Sequence, residues 1–225
     1  MAGVRIAARS SLLSRAQVAE FIQGYGHFFT EGFAEPLLVE TYGDRDLFIS
    51  LRSPGFSDLF TKEVDQLVID GAADLAIHSA KDCPEILDSA LELYLRTPSI
   101  HPLDALVMKE GYTLKTLPHR CTILASSSHR EENILRLRPD AIVRDVRGTI
   151  EQRLSYLGDQ EIDGVVIAEA ALIRLKLTHL NRLLMMSPAH PLQGQLALIG
   201  RKDNTALKRI FLKIEKTFAS WHPTA

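Results

Sequence analysis

Short apolar runs alternate along the whole chain with stretches in which apolar residues recur every three or four positions. Val4–Ala8, Leu37–Thr41, Leu75–His78, Ala105–Met108, Thr122–Ala125, Ala141–Val143, Val165–Ala168 and Leu196–Ile199 have the length and apolar character of β-strands. The spacing between them predicts helices over Ser11–Ile22, from an Asp58 cap through Phe60, Val64, Leu67 and Val68, and over Arg130–Leu137, Thr149–Gly158 and Glu169–Leu175. A final amphipathic helix is predicted over Thr205–Phe218. Strands alternating with helices imply an α/β fold with mainly parallel sheets covered on both faces. The elements are too many for one small sheet. Two sheets are predicted, with breaks at the polar, proline-bearing segments Pro98–Pro102 and Ser187–Pro191. The chain then builds most of domain 1 (residues 1–97), crosses to domain 2 (98–190) and returns to complete domain 1 (191–225). A ligand cleft is expected between them, at the carboxyl ends of the strands.

Composition narrows the function classes. Of 225 residues, 46% are hydrophobic, enough for a real core, and the net charge of -2 argues against a nucleic-acid or anionic-membrane partner. The two cysteines, Cys83 and Cys121, have no metal-type spacing, and the eight histidines are scattered, so no metal is expected. No 18-residue apolar stretch and no apolar leader after MAGVRIAARSS are seen, so a cytoplasmic protein is expected.

Three segments share a design of apolar strand, hydroxyl or small residues, then helix start: IAARSS (Ile6–Ser11), ILASSSHR (Ile123–Arg130) and IVRDVRGT (Ile142–Thr149). Each carries an arginine, Arg9, Arg130 or Arg147, and Arg153 follows in the third helix. Helix amino termini with hydroxyls and arginine forks suit carboxylates. The competing reading is that the hydroxyls only cap helices and the arginines are solvated. The segment Asp74–Pro84 ends a buried strand in His78-Ser79 and then presents Lys81-Asp82. Asp82 there is placed as a general acid or cation stabiliser, against the alternative of a solvated turn. No GxxxxGK[ST], GxSxG or GxGxxG occurs, and Ser126-Ser127-Ser128 has no base partner in sequence.

Seven motifs in order carry a resemblance. HSAKDCP (His78–Pro84) resembles HSMKDVP, ASSSHR (Ala125–Arg130) is similar to TSSLRR, and RDVRGTIEQRL (Arg144–Leu154) resembles RxLRGNVxTRL. AEAALIRLKL (Ala168–Leu177) is similar to AxAGLxRLGL, LQGQLAL (Leu192–Leu198) to VGQGAL, and IAARSSLLSRAQ (Ile6–Gln17) to IGTRxSxLALxQ. GDRD with LFTKEVD (Gly43–Asp46, Leu59–Asp65) is similar to GD followed by LFxKELE. These are motifs of the porphobilinogen deaminase (hydroxymethylbilane synthase) family. The resemblance implies two type II periplasmic-binding-protein-like domains with the cleft between them. It implies the head-to-tail joining of four porphobilinogens, with loss of ammonia, to hydroxymethylbilane in heme biosynthesis. It places the catalytic aspartate on Asp82. Cofactor- or substrate-binding roles fall on Arg9, Ser11, Lys81, Ser126, Ser127, Arg130, Arg147, Arg153 and Arg174, with Gln17 and Gln195 as further candidates. Porphobilinogen is the implied partner of a monomer.

The chain departs from the family pattern at His129, Ser53 and Ser57, which stand for basic residues, at Thr149 for asparagine, and at Ala170-Ala171 for Ala-Gly. The family continues into a third domain whose cysteine carries a covalent dipyrromethane. That domain is expected to be absent here, and neither Cys83 nor Cys121 aligns with the cysteine. Dipyrromethane is therefore the expected cofactor, without its usual attachment. Cys83 in extended geometry would point away from Asp82, and Cys121 reads as a buried filler. A non-catalytic pyrrole- or polycarboxylate-binding protein on the same scaffold is the alternative function, and a solute-binding protein is disfavoured by the missing leader.

Overall fold

The computed structural model describes residues 3–46, 58–187 and 189–219. The chain divides into two compact units. Unit 1 comprises Met1–Thr41, Ser57–Pro98 and Gln195–Ala225; unit 2 comprises Tyr42–Phe56 and Ser99–Gly194.

Unit 1 starts with strand β1 (Ile6–Arg9), helix α1 (Leu12–Tyr25) and strand β2 (Leu37–Val39). Helix α3 (Lys62–Ile69), strand β3 (Leu75–Ser79) and strand β4 (Leu91–Arg96) follow, and strand β10 (Leu196–Arg201) and helix α7 (Thr205–Ala219) complete it. Helix α2 (Tyr42–Arg45) lies between, in unit 2. The sheet order is β2-β1-β3-β10-β4, with β10 antiparallel to both neighbours and β1 parallel to β2 and β3. Four strands therefore run one way and the returning strand runs against them. The period-2 alternation of a strand splits the core into two layers. Ile6, Ala8, Ile77 and Leu198 face α1 and α7, where Phe21 packs against Phe211 with centroids 6.3 Å apart. Ala7, Ala76 and Ile199 face the other way, onto Val64 and Val68 of α3. Burial on both faces explains why these strands read as continuous apolar runs.

Unit 2 contains strands β5 (Asp104–Met108), β6 (Thr122–Leu124), β7 (Ile142–Arg144), β8 (Gly164–Ala168) and β9 (Arg182–Met185). Helices α4 (Ser128–Leu137), α5 (Ile150–Ser155) and α6 (Glu169–Arg174) connect them. The order β7-β6-β8-β5-β9 repeats the plan of unit 1, with β5 as the reversed strand. Leu106, Ile123, Ile134 and Val166 are buried in one core cluster with Cys121. The segment ending unit 2 is pinned where it meets Ser99: Ser99 Oγ donates to Gln193 O at 2.7 Å and Ile100 N to Gly194 O at 3.3 Å. Gly194 has φ +80°, and an added Cβ would lie 2.4 Å from Ser99 Oγ, so glycine is required there.

Every strand and helix predicted from apolar spacing has a counterpart. Strands β4 and β9 lack a predicted counterpart, and both are edge strands beside the reversed strand. The predicted helix over Thr149–Gly158 is α5 followed by a 3-10 turn, Tyr156–Gly158. Residues 42–46 pack with unit 2 and not with domain 1, because Arg147 Nη2 donates to Gly43 O at 2.9 Å and Asp46 O at 3.3 Å.

Candidate functional site

Parallel neighbours β1 and β3 end at the same edge of the unit 1 sheet, so the residues that follow them converge. Arg9 closes β1, and Ser11 caps α1 by accepting from Ser14 N at 3.2 Å. After Ser79 the chain makes a 3-10 turn over Ala80–Asp82, anchored where Ala80 N donates to Gln195 O at 3.0 Å. Together these segments line an open pocket that includes Arg9, Ser11, Gln17, Phe60, His78, Ser79 and Asp82.

The polar groups of this pocket differ in how far they are committed. The guanidinium carbon of Arg9 sits 4.2 Å from the centroid of the Phe60 ring, a cation–π contact that orients the planar fork. Gln17 is buried and its Nε2 donates to Ser79 Oγ at 2.8 Å. The Ser11 and Ser79 oxygens act as acceptors in these bonds, which leaves their O–H groups as donors. His78 Nε2 lies 2.8 Å from Asp65 Oδ1 of α3, and both side chains are largely buried. Among the described residues the half-buried Asp82 carboxylate makes no hydrogen bond or ion pair.

Cys83 follows Asp82 but turns away from it. Its side chain packs against the Val64–Val68–Ala76 layer, with Sγ 3.8 Å from Ser79 O. Burial, reinforced by the carboxylates of Asp82 and Asp65, pushes this thiol up to about 12, so it stays protonated at neutral pH. Cys121 is buried in unit 2, and burial raises its thiol as well.

In unit 2 the hydroxyls cap helices as the competing reading held. Ser127 accepts from Arg130 N at 3.4 Å, and Thr149 forms a capping box with Gln152. The arginines, however, are not simply solvated. Arg130 is buried; one terminal nitrogen lies 2.5 Å from Asp104 Oδ1 and the other 3.1 Å from Ser126 Oγ. Asp104 also accepts from Gln193 Nε2 at 3.0 Å. Arg153 reaches the same Ser126 oxygen at 3.3 Å and donates to Gly148 O at 2.9 Å. Arg174 donates to Gly194 O at 2.9 Å, and Arg147 holds the carbonyls of residues 43 and 46.

Of the residues singled out in the sequence, Arg9, Ser11, Gln17 and Asp82 thus meet in one pocket, and Ser126, Arg130 and Arg153 in one cluster of unit 2. Lys81 sits in the Asp82 turn and Gln195 anchors it, without lining the pocket. His129 is exposed on the first turn of α4, 3.2 Å from Asn133 Nδ2. Ser53 and Ser57 lie outside the described residues. Sequence reasoning did not list Phe60, Asp65, His78, Ser79, Asp104 or Gln193 as site residues. Asp65 had a signal: a carboxylate on the apolar face of α3, between Val64 and Val68, demands a partner.

Comparison with known proteins identifies the family. A family model described as "Porphobilinogen deaminase, dipyromethane cofactor binding domain" matches residues 4–209. A probable porphobilinogen deaminase of Chlamydia muridarum is 37% identical over 214 residues, which are 95% of this chain and 88% of that protein. The porphobilinogen deaminase of Syntrophotalea carbinolica is 36% identical over 197 residues, 87% of this chain and 62% of that one. Among solved structures, an ABC transporter from Parabacteroides distasonis covers 96% of this chain and 71% of its own, with TM-score 0.53 at 12% identity. The BenM effector binding domain with benzoate covers 98% and 95%, with TM-score 0.50 at 14% identity. These two speak to fold alone and agree with a type II periplasmic-binding-protein-like architecture. No helix among the described residues is long and apolar enough to cross a membrane. With the family model spanning nearly the whole chain and the relatives 36–37% identical over 87–95% of it, the chain belongs to the porphobilinogen deaminase family.

Proposed function

We propose that this protein is a hydroxymethylbilane synthase, joining four porphobilinogen molecules head to tail with release of ammonia in tetrapyrrole biosynthesis. The observation that carries this reading is Asp82: a carboxylate with no ion pair among the described residues, in the same pocket as an oriented arginine. Porphobilinogen brings an acetate, a propionate and an aminomethyl group. The Arg9 fork and the O–H groups of Ser11 and Ser79 are suited to one of its carboxylates. When the aminomethyl C–N bond breaks, ammonia leaves with the electron pair and positive charge spreads into the pyrrole ring. The half-buried Asp82 carboxylate, which makes no ion pair among the described residues, stabilises that charge and accepts a hydrogen bond from the pyrrole N–H.

The donor set also fits the carboxylates of a dipyrromethane, which Arg9, Ser11 and Ser79 would hold in unit 1; when bound, that group supplies the acceptor pyrrole. Neither cysteine fits its attachment: Cys121 is buried, and the partly buried Cys83 thiol is pushed up by burial and turned to the α3 layer. Among the described residues, the groups suited to hold it are the ionic and hydrogen-bond donors of Arg9, Ser11 and Ser79. The same reading has the enzyme working as a cytoplasmic monomer, which sedimentation of the purified protein checks.

The test is consumption of porphobilinogen by the purified protein, followed by Ehrlich reagent and by release of ammonia. Wild type is expected to turn over, and Asp82→Asn to lose on the order of 10²–10³ in kcat with porphobilinogen binding retained. A wild-type protein that binds porphobilinogen without consuming it would overturn the enzymatic reading.

A further inference from the structure

The His78–Asp65 pair is built into the wall of the pocket, and the chemistry above leaves it unused. His78 is the fourth residue of β3 and is among the residues lining the pocket, with Asp82. Asp65 projects from the buried face of α3 and reaches His78 Nε2 at 2.8 Å. A carboxylate at that distance accepts from Nε2–H, so the neutral ring keeps its lone pair on Nδ1. Among the described residues Nδ1 makes no hydrogen bond, although the side chain is only 3% exposed. A buried imidazole with one nitrogen held by a carboxylate and the other open is the arrangement of a base with its orienting group.

We propose that His78, oriented by Asp65, is the base of this pocket, taking the proton that an acceptor pyrrole loses when the new carbon–carbon bond forms. The proposal rests on the porphobilinogen reading and assigns a second group to the same pocket. Two demands fall together in that reaction. A carboxylate must stay ionised beside the pyrrole cation, and a base must accept a proton; Asp82 protonated no longer balances the cation. In the step itself, the π pair of the acceptor α-carbon forms the bond to the cationic methylene carbon. The α-carbon then gives its proton to the Nδ1 lone pair, and the C–H electrons restore the aromatic ring. The imidazolium is stabilised by Asp65 and passes the proton to ammonia, giving ammonium, so nothing is oxidised or reduced. The charged and titratable groups around the pair are Arg9 at the end of β1, Lys81, Asp82 and Cys83 after β3, and Arg96 of β4, which acts on Cys83.

Two variants and one spectroscopic measurement test it. His78→Gln keeps a donor for Asp65 but cannot accept a proton. Its kcat is expected to fall on the order of 10²-fold, with KM within about twofold, and the acid limb of the kcat–pH profile is expected to disappear. Asp65→Asn removes the charge that stabilises imidazolium, so the acid limb is expected to move to lower pH. In ¹⁵N-histidine spectra of the unliganded protein, His78 is expected as the Nε2–H tautomer, with an Nδ1 signal that shifts on adding porphobilinogen. If His78→Gln fails to fold, the direction of the Asp65→Asn shift decides. A wild type that turns over while both variants keep its kcat and acid limb overturns this proposal alone. A wild type without turnover overturns the enzymatic reading, and the ¹⁵N spectrum then decides whether His78 meets the pyrrole: an Nδ1 signal unmoved by porphobilinogen overturns the base.

Discussion

The two units follow one strand plan and treat their charges in opposite ways. In unit 1 the acid that follows β3, Asp82, carries no ion pair among the described residues, and the arginine that ends β1 rests on an aromatic ring. In unit 2 the acid that follows β8, Glu169, is buried and clamped by the Nε–Nη2 edge of Arg182, with Nη2–Oε1 at 2.8 Å and Nε–Oε2 at 2.9 Å. The arginine after β6, Arg130, is likewise buried against Asp104. Equivalent positions at strand ends thus hold a carboxylate without an ion pair among the described residues in one unit and paired charge in the other. The strand plan brings polar residues to the sheet edge. Whether they do chemistry depends on which of them are already neutralised.

The largest effect on stability should come from breaking that rule in unit 2. Asp104→Ala leaves the Arg130 guanidinium buried without its counter-charge. It is expected to cost roughly 3–5 kcal/mol, because the loss of one partner exposes the full desolvation penalty of the other. Urea unfolding of the variant measures it. The matching change in unit 1, Asp82→Asn, touches no ion pair among the described residues and should leave the stability within about 0.5 kcal/mol of wild type. A large loss of stability in both, or in neither, would erase the distinction between the units.

How much of this was legible in the sequence follows the range of the interactions. The caps at Ser11, Ser127 and Thr149 join residues three apart, and a local pattern reveals them. The central strands are buried on both faces and read as apolar runs. Strands β4 and β9 did not read that way. In Leu91–Arg96 the alternation is disturbed by a register shift opposite Leu198 and Ile199, and Arg182–Met185 has four residues of which one is buried. An edge strand needs only one partner, so its sequence carries less of the signal. The pairing of Arg130 with Asp104 spans 26 residues and two strands that are not neighbours, and no spacing rule predicts it. For the same reason the motifs located Arg130, Arg147 and Arg174 but not the carboxylate and carbonyl groups that occupy them.

The helix caps offer a finer probe of the same contrast. Ser11→Ala and Ser127→Ala each remove one N-cap acceptor and should each cost about 1 kcal/mol in thermal or urea unfolding. Their functional consequences should differ. Ser11 lines the pocket of unit 1, so its loss should also raise KM for porphobilinogen several-fold. Ser127→Ala gives the reference for a capping loss of similar size. Equal KM values for the two variants would show that the Ser11 hydroxyl serves only the helix.

The smallest difference lies at the opposite, amino-terminal ends of the strands, where each unit has an arginine–aspartate clamp. Asp74 in unit 1 receives Arg5 N, Nε and Nη2 at 2.7–3.0 Å. Burial works to raise its pKa, but the hydrogen bonds and charge of Arg5 carry it below the usual carboxylate value. In unit 2, hydrogen bonds from Arg138, and then from Arg120 N, lower Asp140 further. A carboxylate whose folded-state pKa is depressed contributes stability that is present above the unfolded value, near 3.8, and is lost as the pH falls through the folded value. Both clamps should therefore weaken below about pH 4. The partly exposed Asp74 pair is screened by solvent and contributes about 1 kcal/mol or less. Asp140, being the more strongly depressed, should hold its contribution to lower pH than Asp74. Asp140→Asn should accordingly remove more of the acid sensitivity than Asp74→Asn, with the difference widest at the lowest pH, in melting curves recorded between neutral pH and acid. The reverse order would mean that Arg5, with its three bonds to one side chain, is the stronger clamp, and that unit 1 concentrates its structural charge at the end of the sheet away from the pocket.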